Sequence, residues 1–163
     1  MCITTRIHKN FDEIKKIGKT ELSSFNGNYR IESTDSSHML SYVFMYKDIF
    51  DRNKMPTLYD YINITAIKNR KLRIKLFVNN QLIKTKVVSG EFENSSFNYK
   101  SSHVDFFYGF FAFSNQTNRL SLSKEGDLFL DNNKGVMGTF LILPIPLTGH
   151  ADDYYGLKFK RIK

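Results

Sequence analysis

Apolar and polar positions alternate over much of the chain, most clearly in Lys71-Leu72-Arg73-Ile74-Lys75-Leu76-Phe77-Val78. There Leu72, Ile74, Leu76 and Val78 share one parity while Lys71, Arg73 and Lys75 share the other. Successive strand side chains point to opposite faces, so this spacing predicts a half-buried strand. Asn79-Asn80 follows, and asparagine tolerates positive φ, which predicts a tight turn with Gln81 to Ser89 returning as the hairpin partner. Earlier, Phe25, Gly27, Tyr29 and Ile31 alternate with Asn28, Arg30 and Glu32, predicting the first strand. Further strands are expected over 59–67, 91–99, 104–114, 118–123, 127–131, 136–145 and 154–162, bounded by Gly, Asn and Ser. The period changes once: Met39, Val43, Tyr46 and Phe50 fall at i, i+4, i+7 and i+11 and predict one amphipathic helix over 38–50. Residues 1–21 are expected to form an arm or short helix.

One helix among so many short strands, with no repeated strand-helix-strand unit, argues against a parallel sheet. An all-β antiparallel meander follows, and a meander must hide its edge strands. Closure into an up-and-down β-barrel of about 8–10 strands, with one short helix after the first strand, does so. That barrel is the expected fold of a single domain over residues 22–163; a two-sheet sandwich is the runner-up.

The opening strand, Ser24-Phe25-Asn26-Gly27-Asn28-Tyr29, resembles the Gly-x-Trp signature of the lipocalin and calycin barrels, with Tyr29 in the tryptophan's place. The chain also resembles small lipocalin-like bacterial envelope proteins in the order of its elements. The resemblance implies that an arginine of the last strand, Arg161, lies across the Tyr29 ring and closes the barrel floor. Arginine stacks well on aromatic faces, so the pairing is physically sound. The chain departs from the lipocalins in lacking their Thr-Asp-Tyr turn motif and in carrying a helix between its first two strands.

With 163 residues, one core suffices without metal or disulfide staples. A hydrophobic share of 41% excludes a disordered chain, and no run approaches the length of a membrane-spanning helix. Cys2 is the only cysteine, so no internal disulfide is available. A reduced thiol in a cytoplasmic protein is the simpler account of Cys2; a lipidated first residue of an envelope lipoprotein is the other. The net charge of +8 makes anionic partners worth testing.

An apolar ligand site is expected inside the barrel, lined by Tyr29, Phe44, Phe106, Tyr108 and Phe110, with Arg161 at the floor. Phe106, Tyr108 and Phe110 belong to an aromatic run, 105–113, expected to be one strand apolar on both faces; packing against the core and the helix explains it equally well. Arg73 and Lys75 are expected to join Lys84 and Lys86 of the neighbouring strand in one anion-binding surface. A solvated face that discourages edge pairing is the plainer explanation. The outward neighbours are Thr, Asn and Ser rather than stacking aromatics, which disfavours nucleic acid and leaves a protein or an anionic membrane surface as partner. His8, His38, His103 and His150 lack metal-ligand spacing, and no nucleophile elbow, phosphate loop or dinucleotide fingerprint occurs. No metal or cofactor is expected, and the function expected is non-enzymatic: a ligand-holding barrel of the cell envelope or, alternatively, an inhibitor or immunity-type module that binds protein.

Overall fold

The computed structural model describes residues 13–18, 20–34, 60–68, 70–107, 110–140, 147–150 and 154–162; for 103–107, 110–113, 135–140 and 147–150 the description is of the backbone. Among the described residues a short 3-10 helix, Leu22–Phe25, leads into eleven strands: β1 Gly27–Arg30, β2 Tyr61–Ile67, β3 Lys71–Val78, β4 Gln81–Ser89, β5 Glu91–Glu93, β6 Ser96–Phe107, β7 Phe110–Leu122, β8 Leu128–Phe140, β9 Leu147–His150, β10 Tyr154–Phe159 and β11 Arg161–Ile162. Their pairing is antiparallel throughout.

The strands form two separate sheets. The first runs β11-β1-β2-β3-β4; the second runs β10-β8-β7-β6-β5, with β9 also paired to β8. Neither sheet closes on itself, which overturns the expected up-and-down barrel and with it the lipocalin and calycin resemblance. The physical reason lies at two corners where the chain changes sheet. Between β4 and β5 it turns at Gly90, and between β10 and β11 at Lys160, so each ladder ends where the strand bends away. Local bonds secure both corners: Gly90 N–H donates to the Arg70 carbonyl (3.0 Å) and Arg30 N–H to the Lys160 carbonyl (2.9 Å). Gly90 is required for space, since a Cβ there would run into the Asn98 carbonyl oxygen and stand 2.7 Å from the Phe97 ring.

The inner faces of the two sheets share one core. Tyr29, Ile62, Ile64, Leu72, Ile74 and Leu76 come from the first, and Phe97, Leu120, Leu128, Leu130 and Phe159 from the second. The alternation read in 71–78 holds, because Leu72, Ile74 and Leu76 are fully buried and Lys71 and Arg73 are exposed. Asn79 and Asn80 both take positive φ, 50° and 62°, as the two-residue turn requires. A second turn of this kind, Asn94-Ser95 at 48° and 63°, splits the expected strand 91–99 into β5 and β6. The expected single strand 104–114 is likewise the end of β6 and the start of β7, with Phe106 opposite Phe111 and Phe107 opposite Phe110. A run apolar at every position has no period to show where it reverses.

Ile14 and Ile17, from the segment before the 3-10 helix, are buried with the core, and Lys15 N–H donates to the Leu122 carbonyl at 2.8 Å. The helix expected over 38–50 lies outside the described residues. Among those described, no helix is long and apolar enough to cross a membrane.

Candidate functional site

Tyr29 is fully buried, and its hydroxyl donates to the Phe25 carbonyl at 3.0 Å. It faces Arg161 across the β1–β11 pair, with the guanidinium carbon 6.0 Å from the ring centroid. The Arg161 guanidinium also donates to the Asn26 carbonyl, and the Arg161 N–H donates to Asp127 Oδ1 at 2.9 Å. Burial pushes the Tyr29 phenol up to about 12; the positive Arg161 opposes that shift and Asp127 adds to it. Here Tyr29 is part of the packing. Phe25, Tyr29, Ile31, Phe97 and Phe159 are all fully buried between the sheets, and the expected barrel cavity for an apolar ligand is not formed. That corrects the ligand-holding function. Of the other residues assigned to its lining, Phe106 and Phe110 stand on β6 and β7 and are not opposite one another in register. Phe44 and Tyr108 lie outside the described residues, as does Cys2.

The charged residues divide unequally between the sheets. Beside the second sheet Lys158 Nζ is 3.5 Å from Asp127 and 3.7 Å from Glu125; Arg119 stands opposite Asp131 in register, its Nε donating to the Ser96 hydroxyl at 2.9 Å. Strands β1 to β4 contain no Asp or Glu, yet they carry Arg30, Lys71, Arg73, Lys75, Lys84 and Lys86.

Register decides which of these cations lie together. A two-residue turn continued regularly would set Lys84 opposite Lys75 and Lys86 opposite Arg73, two unfavourable like-charge pairs. The pairing starts in that way, Val78 with Gln81 and Phe77 with Leu82, but then skips Ile83. This bulge moves the rest of β4 by one residue and so reverses its faces. Lys84 now stands opposite Leu76 and Lys86 opposite Ile74, on the core-facing side, while Thr85 and Val87 oppose Lys75 and Arg73. The anion-binding surface expected from Arg73, Lys75, Lys84 and Lys86 is thus divided between two faces. Lys86 is half-buried, and desolvation, followed by repulsion from Lys84, lowers its pKa.

The outer face of β1–β4 combines these cations with apolar groups. Tyr61 and Phe77 stack with centroids 4.7 Å apart and planes 11° apart, and Leu82, opposite Phe77, is 51% exposed. Val87, opposite Arg73, is 49% exposed. A polar strip runs beside them: Asn63 Nδ2 donates to Asn28 Oδ1 at 2.7 Å, and the Thr65 hydroxyl to Asn63 Oδ1 at 3.1 Å. Sequence reasoning missed Leu82, Ile83 and Val87. The signal was there, since Gln81 to Ser89 does not alternate as its partner strand does.

Among the described residues no group of three or more His, Cys, Asp or Glu is arranged to hold a metal ion. No protein-family model, curated protein or solved structure matches the chain.

Proposed function

We propose that this chain is a non-enzymatic all-β interaction module that docks an acidic protein partner on the β1–β4 sheet. The observation carrying this is the charge pattern: in the second sheet Lys158 lies 3.5 Å from Asp127, whereas β1–β4 holds Arg73 and Lys75 beside exposed Leu82 and Val87 with no acid in any of its strands. Exposed aliphatic groups among cations suit a protein surface carrying carboxylates around an apolar patch. They suit nucleic acid less well, because aliphatic side chains give bases nothing to stack on, and the Tyr61 and Phe77 rings stack on each other.

The test is capture of partners from host extract by the immobilised chain at low and high salt, followed by rebinding of each purified partner. An acidic protein whose rebinding weakens with salt and is lost on reversal of Arg73→Glu with Lys75→Glu is the expected result. Recovery of nucleic acid or phospholipid instead, or of a protein indifferent to the reversal, would reject it.

A further inference from the structure

The edge of β4, unpaired among the described residues, shows how such a partner would be held. β4 is the last strand of its sheet among the described residues, nine residues long, and its Leu82, Ile83 and Val87 are each about half exposed. A long edge strand bearing apolar side chains offers a row of backbone donors and acceptors to any strand that can align with it. We infer that β4 accepts an extended acidic segment of the partner protein as an added strand, with carboxylates at alternate positions beside Lys84 and Lys86. This rests on the acidic-partner reading above and adds the mode of binding.

The two faces of β4 define the pattern required of the guest. Lys84 and Lys86 are two residues apart and on one face, so they meet side chains at i and i+2 of an added strand. Thr85 and Val87 project on the other face and meet the intervening positions, where threonine or valine fits. A guest alternating glutamate with β-branched residues therefore satisfies both faces together. Carboxylates set beside Lys84 and Lys86 also relieve the repulsion between these two ammonium groups.

A second copy of the chain is a poor occupant. Antiparallel pairing of two β4 edges about Thr85 would set Lys84 opposite Lys86 of the copy, and parallel in-register pairing would set each lysine against itself. Like charges in directly opposed positions favour a guest of the other sign. The Ile83 bulge decides only the face on which the two lysines meet a guest, because without it both would face the other side of the sheet.

Two fluorescent octapeptides of identical composition test the inference. One alternates glutamate with valine or threonine; the other groups the glutamates in a block. Each is titrated against the wild-type chain, Lys84→Glu with Lys86→Glu, and Arg73→Glu with Lys75→Glu, and amide hydrogen exchange is followed in the wild type. The alternating peptide is expected to bind at least about tenfold tighter than the block peptide. It should slow exchange within residues 81–88 and lose binding on reversal of Lys84 and Lys86. The peptide contrast and the exchange data come from the wild type, so a variant that fails to fold leaves the outcome decisive. Equal binding of both peptides, abolished by reversal of Arg73 and Lys75 and without protection in β4, overturns strand addition while the acidic-partner reading stands. Failure of both peptides to bind, with binding to duplex DNA or anionic phospholipid vesicles run alongside, overturns both.

Discussion

The Arg161 guanidinium lies over the Tyr29 ring, 6.0 Å from its centroid, because Gly27 leaves room for it. A Cβ at Gly27 would stand 2.7 Å from Arg161 Nε and 3.0 Å from Nη2. One residue without a side chain thus leaves space for a cation on an aromatic face where β11 pairs with β1.

Gly27→Ala should therefore act through Arg161. The arginine side chain is flexible and can move aside, so the expected cost is the lost contact, roughly 0.5–1 kcal/mol, or a fall in melting temperature of about 1–4 °C. Arg161→Ala should cost a similar amount, and the double variant little more than either alone. Melting curves of the three variants decide this; additive losses would show that the glycine acts independently of the arginine.

Gly90→Ala should be worse, because its Cβ would meet the Asn98 backbone carbonyl and the buried Phe97 ring instead of a movable chain end. Overpacking at such a corner costs about 1–3 kcal/mol, and the upper part of that range is expected here. Urea denaturation measures it, and a loss no larger than that of Gly27→Ala would contradict the corner geometry.

Alkaline pH should reveal the buried phenol of Tyr29. Its folded pKa is raised from 10.0 to about 12, so its contribution is fully present below pH 10, where the phenol is protonated in both states. Between about pH 10 and 12 the unfolded chain ionises first and stability falls, by roughly 2–3 kcal/mol for this group alone. Tyr29→Phe removes this part of the alkaline loss. At neutral pH it should cost about 0.5–1.5 kcal/mol for the hydrogen bond to the Phe25 carbonyl. Identical slopes of stability against pH above 10 in the two proteins would refute the assignment.

Replacing Lys84 and Lys86 together by valine should separate stability from solubility. Removal of a half-buried cation, whose pKa is lowered by desolvation, should raise the melting temperature by about 2 °C. The same change leaves β4 an apolar edge with no charge to oppose self-pairing, so concentration-dependent association is expected in analytical ultracentrifugation. A strictly monomeric double variant would remove the lysines' role at that edge.

Much of this was visible in the residues alone. Leu72, Ile74 and Leu76 alternate with cations, and their burial followed; Asn79-Asn80 announced its turn. The contact of Arg161 with Tyr29 was suggested by the lipocalin resemblance, and it occurs here without the barrel that the resemblance implied. The candidate site was half visible. Arg73 and Lys75 occupy the face assigned to them, but Lys84 and Lys86 do not join them, because one bulged residue, Ile83, reverses the returning strand. Adjacent Leu82 and Ile83 break the alternation there, but nothing local shows which residue the ladder skips. It becomes favourable when Lys75 and Arg73 are already across the ladder, where regular pairing would oppose like charges.

The amino-acid order by itself determined that this chain is all-β, that its sheets are antiparallel and which residues of 71–78 face inward. These properties depend on side-chain period and on turn residues a few positions apart. Tertiary structure alone decided that the sheets stay open, that the chain changes sheet at Gly90 and Lys160, and which cations share a face. Those outcomes depend on pairing between segments far apart in sequence, where a shift of one residue exchanges the two faces of a strand.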